Sequence, residues 1–129
     1  MYKVIKYHWA AIFMSLIILV LCNVPTPAST NEAGFFFTGV DKLVHFGMFF
    51  LLASCLILGE RKRIQQKGLK PSQLILIFLY CVSFGAIVEW LQYAVFTYRS
   101  AELWDFICDS AGALLSLLFY YLLDKQTLV

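Results

Sequence analysis

Four long apolar runs, separated by short polar stretches, dictate what this chain can become. They cover residues 8–22 ("HWAAIFMSLIILVLC"), about 40–58, about 72–96 and about 103–123. A helix needs roughly 20 apolar residues to cross the ~30 Å hydrocarbon layer of a bilayer. The last three runs meet that length and the first is somewhat short. Composition agrees: 61% of the residues are hydrophobic and 14% charged, against roughly 45–50% and 25% in soluble domains. The alternating pattern of an outer-membrane barrel strand is absent. The expected fold is therefore all-α, an integral membrane bundle of four transmembrane helices forming a single domain over residues 1–129. Pro25 and Pro27 in "NVPTPASTNEAG" make a loop of the first connection, and Pro71 suits the first turn of the third helix.

Basic residues set the orientation. Lys3, Lys6, Arg61, Lys62, Arg63, Lys67, Lys70 and Lys125 fall on one side of a four-span arrangement, leaving Lys42 and Arg99 opposite. The positive-inside rule then places both termini and the 59–71 connection in the cytoplasm, with the chain in the cytoplasmic (inner) membrane. The basic loop reads as a solvated, topology-setting segment. The rest of a nucleic-acid-binding fold is missing, so no nucleic acid is expected. An alternative for the first run is a signal peptide, with "PTPAS" as a poor cleavage site and "LVLC" faintly like a lipoprotein box. Either way, the second helix is entered from outside. Cys22, Cys55, Cys81 and Cys108 are scattered singly through apolar segments, as small buried hydrophobes are. Cys22 with Cys108 is the one disulfide pairing the topology leaves open.

With that topology the polar residues acquire depths. Asp41, Lys42 and His45 lie at the outer end of the second helix, Glu89 and Gln92 in the last turns of the third. Arg99 lies in the outer connection "TYRSAE", and Asp105 and Asp109 in the first turns of the fourth helix. At about 1.5 Å per residue, His45, Glu89 and Asp109 sit roughly 6–10 Å below the outer helix ends. Their faces agree as well. Asp41 and His45 are four apart, as are Asp105 and Asp109, and Gly112 and Ser116 continue that second stripe. Cys81, Gly85, Glu89 and Gln92 form the third. Turned inward, the three stripes leave Leu51, Ile87, Leu91, Phe106 and Leu118 to face lipid or fill the remaining core.

Ionisable groups inside a membrane are costly and usually functional. The competing reading is helix glue, through buried hydrogen bonds or ion pairs such as Lys42 or Arg99 with Asp105 or Glu89. Asp41 suits an N-cap, Lys42 can snorkel to the headgroups, and Trp9, Trp90 and Trp104 fit interfacial belts.

At these residues the sequence resembles the VanZ-like family of small bacterial membrane proteins. The resemblance is carried by "DKLVHF" (Asp41, Lys42, His45, Phe46), by Gly85 with Glu89-x-x-Gln92, by Arg99-Ser100, and by Asp105 with Gly112 in "DFICDSAG". It spans residues 41–112, and the family often carries asparagine where this chain has Asp109. The resemblance implies a multi-spanning helical protein. The family is named for an accessory glycopeptide-resistance protein of the teicoplanin type. Some members carry the label phosphotransbutyrylase, to which nothing in these residues points.

Three kinds of function compete. A membrane-embedded enzyme would use His45 as general acid or base, since its pKa range spans neutrality, with Glu89 or Asp105 orienting it or sharing the proton. Arg99 and Lys42 would hold an anionic group, with Asp41, Gln92 and Asp109 completing the binding set. The reachable partners are the bilayer itself and a lipid or lipid-linked anionic substrate of the cell envelope. Ser100 is the nearest hydroxyl nucleophile, and an activated water suits the site better. No cofactor and no metal are expected, since a tight motif such as His-Glu-x-x-His is missing. A mixed site of His45 with Asp41, Glu89, Asp105 or Asp109 is the variant left open. A non-catalytic binder, or a surface for a partner membrane protein, is the second kind. Transport is the third, and the inverted repeats and broken helices it usually needs are lacking.

Overall fold

A computed structural model of the chain describes residues 2–23, 40–65, 68–95 and 102–126. It contains four helices: α1 (Tyr2–Asn23), α2 (Val40–Ile64), α3 (Pro71–Ala94) and α4 (Leu103–Gln126). Each holds a stretch long and apolar enough to cross a membrane. The all-α membrane bundle expected from the sequence is what forms. Two boundaries differ from that expectation by about a turn or more. The first helix begins six residues earlier, because residues 2–7 contain no helix breaker. The second continues through Arg61, Lys62 and Arg63, where the Arg63 guanidinium donates two hydrogen bonds, 2.7 and 2.6 Å, to the Glu60 carboxylate one turn earlier. Gln65, in the left-handed region at φ 53°, ends it. At the start of α3 the Lys70 N–H donates to Gln73 Oε1 (2.9 Å), next to Pro71 in the first turn.

The central helix is α2, which packs most extensively on α4, then on α1, and less on α3. Small residues explain the α2–α4 contact. A Cβ on Gly112 would run into the backbone carbonyl of Phe46, so the two backbones meet as closely as that glycine allows. A turn further along, the Ser54 and Ser116 hydroxyls hydrogen-bond across the same interface at 2.9 Å. Phe49, Leu52, Ile18 and Val88 form the fully enclosed core. Ala11, Ser15, Ile18 and Cys22, spaced four, three and four, are the buried stripe of α1.

The outer surface is what a lipid solvent requires. Phe13, Leu43, Leu51, Leu76, Ile87, Leu103 and Leu118 point away from the bundle, as do Trp9, Trp90 and Trp104. In water, apolar patches of this extent would drive aggregation. Leu91 and Phe106 are half-buried. The four cysteines are free thiols, so Cys22 and Cys108 do not pair. Asp41 falls inside the first turn of α2 and is not its cap, because the helix starts at Val40.

Candidate functional site

The chain crosses the bundle four times, so α1 and α3 end where α2 and α4 begin. This shared end, here the upper end, collects the polar residues of all four helices. His45 is one turn into α2, Glu89 and Gln92 are in the last turns of α3, and Asp105 and Asp109 are in the first turns of α4. His45, Gln92, Asp105 and Asp109 are each no more than 2% exposed. Glu89 is half-buried and Asp41 is exposed.

The deepest contact joins α2 to α4. His45 Nδ1 lies 3.0 Å from Asp109 Oδ1. With the Nδ1 proton donated to Asp109, the Nε2 lone pair faces the Cys22 thiol, 3.8 Å away on α1. A carboxylate behind an imidazole fixes its tautomer and ring orientation, the arrangement used wherever histidine moves protons. Gln92 fastens α3 to α1, its Nε2 donating to the Cys22 carbonyl at 2.7 Å. The Glu102 N–H, just ahead of α4, donates to Glu89 Oε2 at 3.0 Å.

Above these contacts lies a charged rim. Lys42 Nζ makes a 2.8 Å ion pair with Glu102 Oε2 and stands 3.6 Å from Asp105 Oδ1. The second distance is attractive but too long for a hydrogen bond. Polarity is therefore graded, from exposed Asp41 and Glu102 and half-buried Lys42 at the rim to the enclosed His45–Asp109 pair.

The accounting of lone pairs does not close. Asp109 Oδ2, Glu89 Oε1, Gln92 Oε1 and Asp105 Oδ1 are all buried without a hydrogen-bond partner. Buried polar atoms in native proteins are nearly always satisfied, and in hydrocarbon an orphan is costlier still. Four acceptors with open lone pairs therefore gather at one end of the bundle.

Of the residues expected from the sequence, the structure brings together Asp41, Lys42, His45, Glu89, Gln92, Asp105 and Asp109. Arg99 and Ser100 lie outside the described residues. Two members were not legible as such. Cys22 enters because α1 is part of the bundle and its stripe ends beside His45; its spacing from Ile18 was the available signal. Glu102, which joins the ends of α3 and α4 to Lys42, had only its place at the start of the fourth apolar run. A cavity of about 370 Å³ lies at the opposite, lower end, between α1, α2 and α3. Its polar residues are committed to one another: Glu60 accepts from Gln73 at 2.9 Å and sits 3.4 Å from His8. His8 Nδ1 is buried there without a partner, but the remaining walls are mainly apolar, and among the described residues the buried carboxylate oxygens without partners are all at the upper end.

The ordered series Asp41-Lys42-x-x-His45, Glu89-x-x-Gln92 and Asp105 converges in space, and the sequence profile of the VanZ/LLP1 family matches residues 2–124. The chain belongs to the VanZ/LLP1 family. The match takes in α1 as well as the three helices that carry the motifs, consistent with Cys22 lying beside His45. No curated protein and no solved structure matches the chain. The VanZ/LLP1 assignment therefore stands on the sequence profile, and roles for individual residues come from the geometry above.

Proposed function

We propose that the upper end of this VanZ/LLP1 protein is a site at the outer face of the bacterial cytoplasmic membrane that binds or modifies a lipid or lipid-linked cell-envelope substrate. The eight basic residues that the sequence puts on one side of the four spans support cytoplasmic termini and an outward-facing upper end. The whole chain acts as one domain in this reading, since all four helices contribute to the cluster.

The observation that carries the proposal is the His45–Asp109 pair, 3.0 Å apart and enclosed beneath a rim bearing Lys42. An imidazole held by a carboxylate is a general acid–base, and Lys42 is a point charge able to hold a phosphate oxygen. Glu89 and Asp105 face the same space and share the proton work. A headgroup entering from the outer leaflet meets Lys42 first, with Arg99 contributed by the connection that follows α3, and the imidazole beneath. A link to glycopeptide resistance follows if the headgroup belongs to a cell-wall precursor.

The second reading, helix glue, is favoured by a separate observation: the same contacts bridge α2 to α4, α3 to α1 and α3 to the start of α4. The two part at His45→Gln, expressed in a bacterial host lacking its own copy. The site reading expects normal membrane accumulation with an altered pool of lipid-linked envelope precursors. Loss of accumulation in the His45, Glu89 and Asp105 variants alike would leave glue as the better account.

A further inference from the structure

We infer that His45, Glu89 and Asp109 form a binding site for one divalent transition-metal ion, such as Zn²⁺ or Mn²⁺. One ligand atom from each of these residues lies within 4.8 Å of those of the other two. Two ligands on one ion, each bound at about 2.1 Å, stand roughly 3.0 Å apart at a right angle and roughly 3.4 Å apart at the tetrahedral angle. The 3.0 Å from His45 Nδ1 to Asp109 Oδ1 already matches one edge of such a shell. The Glu89 carboxylate completes the set within the same 4.8 Å.

Three independent features point to a cation here. The first is the lone pairs left open. Asp109 is fully enclosed and its Oδ2 has no partner. That oxygen is directed at α3, where a Cβ on Gly85 would come within 3.0 Å of it. Glu89, one turn beyond Gly85 on the same face, holds its own Oε1 without a partner. Without a metal, Asp109 Oδ1 faces His45 Nδ1 and Glu89 Oε2 accepts from the Glu102 N–H.

The second is charge. Asp41, Glu89, Glu102, Asp105 and Asp109 gather at this end, and among the described residues Lys42 is the only lysine or arginine beside them. Lys42 is engaged with Glu102 and Asp105, one layer above. Two carboxylates sharing a low-dielectric space repel strongly, and a divalent ion between them removes that repulsion.

The third is the histidine. When Nδ1 binds a metal, Nε2 carries the proton and needs an acceptor. Cys22 Sγ, 3.8 Å from Nε2, is placed to be that acceptor, so α1 supplies the outer support that metal-bound imidazoles normally have. One imidazole nitrogen with carboxylate oxygens suits Zn²⁺ or Mn²⁺ better than Ca²⁺ or Mg²⁺, which favour all-oxygen shells. A second set, Asp41, His45 and Asp105, is equally close, but Asp105 is paired with Lys42 and Asp41 is exposed. The enclosed set is the stronger one.

Resting on the reading of the upper end as a working site, a metal there deepens it: a cluster of carboxylates repels an anionic headgroup, whereas the same cluster around a divalent ion attracts one.

The test is metal content and metal-dependent unfolding of the full chain purified in detergent. Expected are about one Zn²⁺ or Mn²⁺ per chain by elemental analysis and a rise in Tm when the chelated protein receives either ion. Asp109→Asn keeps the size and a hydrogen bond to His45 but removes the charge, and is expected to weaken binding at least tenfold while helical content stays unchanged. If Asp109→Asn fails to fold, Glu89→Gln at a half-buried position gives the same reading. Asp124→Asn at the lower end is expected to bind as wild type does. A wild-type protein with neither bound metal nor a Tm response overturns the inference, as does a response that persists in both upper-end variants. Phosphatidylglycerol binding by a protein with neither bound metal nor a Tm response sinks the metal and spares the headgroup site; stoichiometric metal without lipid binding does the reverse.

Discussion

His45 and Asp109, sixty-four positions apart in sequence, face each other at 3.0 Å with neither side chain reaching solvent. Their meeting depends on how closely α2 and α4 approach, and that approach depends on a residue one turn beyond Asp109.

Gly112 is that residue. A Cβ there collides with the Phe46 carbonyl, so Gly112→Ala must push α4 away from α2 and loosen the His45–Asp109 contact. Overpacking of this kind typically costs about 1–3 kcal/mol. Gly47, on the same helix as Phe46, has nothing within 4 Å of a would-be Cβ, and Gly47→Ala is expected to be neutral. Unfolding in mixed detergent micelles measures both. Equal effects at the two glycines would contradict the packing described.

Gln92 ties α3 to the end of α1 through the Cys22 carbonyl. Replacing it with methionine, of similar length, removes the bond and leaves the packing. Hydrogen bonds between membrane helices average about 0.6 kcal/mol and reach ~1.7, so a loss in that range is expected. The same unfolding assay reports it. A Gln92→Met protein as stable as wild type would mean that the Gln92–Cys22 bond adds nothing to the hold on α1.

Orientation is open to a simple fusion test. Alkaline phosphatase joined after Glu102 is expected to be active, and joined after Val129 inactive, because the enzyme folds only outside the cytoplasm. The reverse pattern would invert the topology and move the proposed site to the inner leaflet.

Much of this was legible beforehand, for a physical reason. Lipid-facing surfaces must be apolar, so every ionisable residue within a span stands out, and period and depth alone brought Asp41, His45, Glu89, Asp105 and Asp109 to one layer. The role of Cys22 was not legible, because a cysteine in an apolar run looks like any small hydrophobe until the fold puts an imidazole beside it. Nor was Glu102, whose work depends on where the ends of α3 and α4 meet. The extent of α1 and α2 was misjudged where polar residues continue a helix beyond its apolar stretch, since hydropathy marks the membrane boundary and not the helix end.

Lys42 offers a cleaner separation of binding from stability than any buried residue. It is at the rim, partly exposed; its closest partner Glu102 is solvent-exposed, and a glutamine amide in its place still offers a donor to the buried Asp105 carboxylate. Lys42→Gln should leave unfolding nearly unchanged while weakening association with a phosphate-bearing headgroup. Unchanged association would remove Lys42 from the binding set.

The central claim is that the polar cluster handles a ligand and does more than join helices. Trp90 and Trp104, both more than half exposed at the upper end, supply a fluorescence signal beside it. The most direct measurement is titration of the protein in nanodiscs with a polyprenyl phosphate, for wild type and His45→Gln, with unfolding followed in parallel. The account predicts a saturable fluorescence change in wild type that is lost or weakened at least tenfold in His45→Gln while the variant keeps its helical content. A wild-type protein that shows no saturable change, or a variant that binds equally well and differs only in stability, would contradict it.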